Sequence, residues 1–278
     1  MGRAMTLRTA SGSLGRGLLL LLVVATCMLP VAWMVIAGFK AKTEVVRTPF
    51  QFFPDVWIVE NYTTILQDRE FIQAMTATLI GGIVFTILSI AVNSMAAYAF
   101  ARLDFRGKRL WWVFCIIPLF IPAFAILLTS FVVVTNLGML DTWQVLIIPG
   151  VASAYQMFFI RQFYLSIPLA LEEAAMIDGA SRWRIFLRIF LPQSWGIFVV
   201  VGVTSFLGYW NAYVWPILTI HSPDLVQIQQ YLGTFRQERG TEWGLLMAGS
   251  LLSVLPLLIL VLIFQRYIVN GVRISGLK

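Results

Sequence analysis

The sequence predicts an all-α polytopic membrane protein with six transmembrane helices and both termini in the cytoplasm. Three observations predict it. Of 278 residues, 59% are apolar and only 12% are charged, against about 25% charged in soluble domains. Six windows approach or exceed the roughly 20 apolar residues that a spanning helix needs. The basic residues are concentrated in alternate connecting segments, as happens where Lys and Arg near span ends collect on the cytoplasmic side.

The windows are 17–39, 75–101, 110–134, 142–163, 196–218 and 244–267. The first begins after Arg16 with GLLLLLVVATC, which looks like the opening of a cleaved leader. A leader's apolar part runs about 7–15 residues, whereas this run continues through Met34 and Ile36 to Phe39, so a retained span is expected. The six windows leave outer loops 40–74, 135–141 and 219–243 and a cytoplasmic loop 164–195, too little for a separate folded domain, and 1–278 reads as a single transmembrane domain.

The net charge of +7 follows that topology rather than a nucleic-acid surface. With the N-terminus inside, the inner segments hold Arg3, Arg8, Arg16, Arg102, Arg106, Lys108, Arg109, Arg161, Arg182, Arg184, Arg188, Arg266, Arg273 and Lys278, fourteen of the twenty basic residues. The outer loops hold Lys40, Lys42, Arg47, Arg69, Arg236 and Arg239 with nine of the thirteen acids. Cys27 and Cys115, the two cysteines, both fall inside windows, which argues against a disulfide framework or a thiolate metal site.

Catalysis at membrane depth needs ionisable groups, which are costly there and kept for function. The window interiors hold no Asp, Glu, Lys or His, and the one histidine, His221, lies just past the fifth. Gly107-Lys108 is followed by Arg109 and lacks the earlier Gly of a phosphate loop, so any ATP used is bound by another chain. Neither an enzyme nor a metal site is expected. What the windows do hold is neutral: Asn93, Thr129, Ser130 and Asn211, with Pro30, Pro118, Pro122, Pro149, Pro216 and Pro256 as candidate interruptions of the backbone. Such groups serve as packing glue between helices or suit a path for a neutral, polyhydroxylated solute.

The stretch EEAAMIDGASRWRIFLRIFLP, Glu172–Pro192, is among the few that suit water. Ser166 and Pro168 predict a helix start, Glu172 and Glu173 sit where the helix dipole favours acids, and Gly179 is suited to end the helix. Ser181 then caps a second helix with Trp183, Phe186, Ile189 and Phe190 on one face. This helix-Gly-helix is either an interfacial hairpin on the inner leaflet or a docking element for a cytoplasmic partner. The small side chains of Ala174, Ala175, Gly179 and Ala180 favour docking, since they admit another backbone.

Glu173-Ala174-Ala175, Asp178-Gly179-Ala180 and, after Ile189, Leu191-Pro192 resemble the cytoplasmic signature loop of ABC importer permeases. NSMAAYAFAR (Asn93–Arg102), GYWNAYVWP (Gly208–Pro216) and FQRYIVNG (Phe264–Gly271) look like the matching segments of the maltose-type, carbohydrate-uptake class. The resemblance covers the chain from about Leu18 onward. It implies a type I importer fold in the cytoplasmic membrane of a prokaryote. It also implies a heterodimer with a second permease subunit, an ABC ATPase dimer that uses ATP and Mg²⁺ while this chain binds no cofactor, and an extracytoplasmic solute-binding protein. On that basis Glu172, Glu173, Ala174, Ala175, Asp178, Gly179 and Ala180 would form the helix that couples to the ATPase. The outer segment His221–Glu242 would reach the binding protein, the alternative being a solvated connector. Asn93, Trp210, Asn211 and Trp215 are candidates for the translocation path, with packing or interface roles as the alternative. The solute implied is a sugar or oligosaccharide; the alternatives are a polyol, a trehalose-like disaccharide, a glycerol phosphodiester, or a structural subunit without a path.

Overall fold

The computed structural model describes residues 3–237 and 240–276; Glu238 and Arg239 of the expected outer loop, and Lys278 of the expected inner tail, lie outside them. Fourteen helices follow in order among the described residues: α1 Arg3–Ala37, α2 Glu60–Gln67, α3 Arg69–Arg102, α4 Lys108–Ile116, α5 Ala123–Asn136, α6 Trp143–Val151, α7 Ala154–Ser166, α8 Leu169–Ile177, α9 Arg182–Ile185, α10 Leu191–Gln193, α11 Trp195–Trp210, α12 Val214–Thr219, α13 Ile228–Gly233 and α14 Trp243–Gly276. Two-residue strands, β1 Arg236–Gln237 and β2 Gly240–Thr241, pair antiparallel. Three helical stretches, Arg16–Ala37, Arg69–Arg102 and Trp243–Tyr267, are long and apolar enough to cross a bilayer. Three bent pairs, α4 with α5, α6 with α7, and α9–α10 with α11, meet the same test together.

The bends have local causes. The 110–134 window turns by 108° between Phe120 and Ala123. Ile121 is extended there (φ −100, ψ 123) because the residue before a proline, here Pro122, is pushed out of the helical region. The 196–218 window is not one helix: α11 stops at Trp210, and α12 starts at Val214 with Pro216 in its first turn, where a missing N–H costs nothing. Pro30 and Pro256, by contrast, lie inside helices that run on through them, so they do not break the chain as expected.

The residues fall into two compact units. One comprises the chain through Asp68 with Leu232–Val254. Within it Lys40 is buried, its Nζ donating to Gln51 O at 2.6 Å and lying 5.0 Å from the Trp33 ring centre. Asn61 Nδ2 donates to the carbonyls of Gly38 and Lys40, and Tyr62 Oη to Val35 O, so α2 closes the end of α1.

The other unit comprises Arg69–Tyr231 and the chain from Leu255. Its centre is α3, against which α6, α7 and α11 pack. One core gathers Tyr98, Ile160, Tyr164, Phe186, Phe190 and Val201, another Val134, Val145, Leu146, Tyr209 and Ile220. Gly81 and Gly82 allow α11 its close approach. A Cβ at Gly81 would stand 2.1 Å from Tyr209 Oη, and one at Gly82 would stand 2.9 Å from Phe206 Cε2.

Candidate functional site

The loop between α7 and α11 is built by local rules. Pro168 is the residue before α8, with φ −58 and ψ 132, and Ser166 Oγ bonds back to Phe163 O, so the serine closes α7 instead of capping α8. At the other end Gly179 takes φ +76, its N–H donates to Met176 O at 3.0 Å, and Ala180 N–H donates to Ala175 O at 2.9 Å. That pair of bonds is a Schellman closure, which needs a left-handed residue at this place. Ser181 Oγ then accepts from Arg184 N and starts α9. A widened turn, Phe186–Phe190, leads into α10, with Leu191 N–H reaching back five residues to Phe186 O.

The expected apolar face of the second helix divides. Phe186 and Phe190 are buried against Tyr98, at ring separations of 5.2 and 4.9 Å, and Phe190 also meets Tyr164 at 5.2 Å. Trp183 is exposed, since the turn it occupies precedes the part of the helix that enters the core. On α8 Leu169, Ala170, Leu171, Glu173, Ala174, Met176 and Ile177 are exposed and, just beyond, Asp178 and Gly179, with Ile177 87% exposed. Ala175 and Ala180 are half-buried and pack inward on the core.

Glu172 is unlike its neighbour. It is 2% exposed. One carboxylate oxygen accepts from Arg182 Nη1, and the other lies 3.8 Å from Arg102 Nε. Arg102, the last residue of α3, also donates from Nη2 to the carbonyls of Tyr164 (2.6 Å) and Ile167 at the end of α7. Read along the sequence, Arg102 and Arg182 are only span-flanking charges. The signal that was present is the pair of adjacent acids, Glu172 and Glu173, which a helix points in different directions, so that one can face inward while the other faces out.

Of the four path candidates only Trp215 lines a cavity in this unit, a space of about 530 Å³ that also touches Ser130, Ser153, Tyr155, Gln156 and Ser205. Trp215 Nε1 donates to Val145 O at 2.9 Å. Trp210 is buried and Asn211 is exposed with its Nδ2 on Leu207 O. Asn93 is buried and serves the bend between α6 and α7: its Nδ2 donates to Val151 O at 2.8 Å and its Oδ1 accepts from Ser153 N at 2.9 Å. Gln156, which sequence reasoning missed, bonds to Ser205 Oγ at 2.7 Å beside the cavity; its signal is an amide just ahead of the apolar run Met157–Ile160. The lining is mostly apolar with a few neutral polar groups and no charged side chain, a usual composition for a site that fixes a small neutral molecule.

Asp141 ties the loop after α5 to the chain after α12. It has φ 58, its N–H donates to Thr219 O, and its carboxylate accepts from the N–H groups of His221 and Ser222, each at 2.7 Å. Those two bonds hold its carboxyl below the usual carboxylate range. A carboxyl depressed in the folded state contributes stability above its unfolded value of about 3.9 and loses it as pH falls through the folded value. Protection of the His221 and Ser222 amides, measured by hydrogen exchange, is therefore expected to fall below about pH 4. Asp141→Ala loses that protection already at neutral pH, and Asp141→Asn, which keeps an acceptor oxygen, loses less. Equal protection in all three would show that the contact holds nothing.

Residues 93–274 match the family described as "Binding-protein-dependent transport system inner membrane component". The chain is 29% identical over 252 residues to the arabinooligosaccharides transport system permease protein AraQ of Halalkalibacterium halodurans, covering 90% of each. It is 31% identical over 258 residues to the diacetylchitobiose uptake system permease protein NgcG of Streptomyces coelicolor, covering 91% of this chain and 85% of that one. In fold it is similar to a chain of a bacterial ABC transporter involved in the import of the acidic polysaccharide alginate, with a TM-score of 0.81, 20% identity and coverage of 93% and 96%. By the match across residues 93–274, which takes in the α8 loop, Asp141 and all but Phe85 of the cavity lining, the chain belongs to the inner membrane components of binding-protein-dependent transport systems.

Proposed function

We propose that this chain is one of two permease subunits through which a sugar or oligosaccharide crosses the cytoplasmic membrane, driven by ATP hydrolysed with Mg²⁺ on separate ATPase subunits. The ATPase engages the 172–192 loop, and an extracytoplasmic solute-binding protein delivers the solute. The observation that carries the coupling part is α8. It is a short helix closed at Gly179, with Glu173, Ala174, Ile177 and Asp178 open to solvent. A surface that sets the two acids Glu173 and Asp178 beside Ala174, Gly179 and the apolar Ile177 fits a slot in a partner. The solute class is supported by the uncharged cavity beside Trp215 and Gln156 and by the carbohydrates named for the two relatives.

The test is Glu173→Lys in the complex purified with its native partners. Reversing a docking charge is expected to cost at least the ~1.4 kcal/mol that equals tenfold in affinity. Recovery of the ATPase with the tagged chain then drops about tenfold or more, as does uptake of radiolabelled arabinooligosaccharide and diacetylchitobiose in whichever the parent transports. Full recovery of the ATPase by the variant refutes the assignment of α8.

A further inference from the structure

The buried group around Glu172 has no counterpart in a simple docking helix. Arg102 makes four contacts with one planar head: two carbonyls at the end of α7, the second oxygen of Glu172 on α8 at 3.8 Å, and the face of Phe190, 5.2 Å from the ring centre. Glu172 is at the same time held by Arg182 of α9, whose carbonyl accepts from Tyr98 Oη of α3 at 3.3 Å. The side chains of Arg102 and Glu172 are 8% and 2% exposed, that of Arg182 50%. Arg102 Nε and Glu172 Oε2 have no nearer partner.

The backbone route from α7 to α8 is Ile167 and Pro168, both extended, with no helical bond carried across them. Two helices joined that way can tilt about the connection. A guanidinium is rigid and presents several donors in a fixed fork, and an ion pair sealed from water is strongly costly to break once one partner is lost. We infer that Arg102 is a positioning residue: through Glu172 it locks α8 to α3 and α7, so that a displacement of α8 moves those helices with it. This rests on α8 being the helix that meets the ATPase.

The linkage is tested by spin labels at Leu171→Cys on α8, outside the proposed docking surface, and Met95→Cys on α3, both exposed positions, after replacing Cys27 and Cys115 by Ser. The distance is read in the purified complex without nucleotide and trapped with MgATP and vanadate. With Arg102 in place the distribution is expected to stay the same in both states. With Arg102→Gln it shifts by about 2 Å or more on trapping, the scale of helix displacements in switching proteins. A distance as fixed in Arg102→Gln as in the parent overturns the proposal. If that variant does not assemble, Arg102→Lys is used, which keeps the charge but cannot hold both carbonyls and the carboxylate; an unmoved distance there overturns it equally. Failure of the underlying reading looks different: the ATPase is recovered in full by Glu173→Lys, whatever the labels do.

Discussion

Replacing Gly179 by proline is expected to reduce ATPase recovery with the tagged chain to background. Proline fixes φ near −65° and has no N–H, whereas Gly179 has φ +76 and donates to Met176 O. Both the turn and one of its two closing bonds are lost, and a residue before a proline is also pushed toward extended backbone, away from the φ −74, ψ 7 of Asp178. The cause is separable from size. A Cβ at Gly179 would meet nothing within 4 Å, so a series of substitutions should rank by tolerance of the left-handed region and not by volume. Asn is expected to keep most of the recovery, Ala to lose about 1–2 kcal/mol of the turn, and Val and Pro to fail. A series ranked by side-chain volume instead would mean that a partner, and not the backbone, sets the requirement.

The second large effect is expected at the opposite kind of glycine. Gly81 has an ordinary helical backbone, and a Cβ there would stand 2.1 Å from Tyr209 Oη, 2.8 Å from its Cζ and 2.9 Å from Trp143 Cζ3. Tyr209 is buried in the core with Val145 and Leu146 and cannot swing aside freely. Gly81→Val forces α3 away from α11 at an overpacking cost of about 2–3 kcal/mol, which should lower the melting temperature in detergent by roughly 5 °C or more. Gly208→Ala on α11, where a Cβ would have open space, serves as the control and should melt as the parent does. Equal melting of Gly81→Val and parent would mean that the Gly81 approach is not tight.

What the sequence made legible is what neighbours in the chain decide. The closure at Gly179 and the cap at Ser181 depend on residues within four positions, and both were readable. The apolar windows were readable too, because composition alone marks them. Their bends were not, since a window average carries no backbone dihedral: Pro122 bends its window by forcing Ile121, while Pro30 and Pro256 stay inside continuous helices. Contacts between distant segments were the least visible. Arg102 and Glu172 are seventy positions apart, and each alone looks like a surface charge. Trp210 and Trp215 look alike in sequence, yet one is sealed in the core and the other edges the cavity.

The amide of Asn93 has the same donor and acceptor as a peptide unit, and it offers them to Val151 O and Ser153 N, the two backbone groups freed where α6 gives way to α7. The bend is thus completed by a borrowed peptide, supplied from a helix some sixty residues earlier. Its angle of 45° is written less in the residues that turn than in the one that completes them. Drift at Asn93 would strand the N–H of Ser153 in a dry place and leave Val151 O with Ser89 Oγ as its remaining donor.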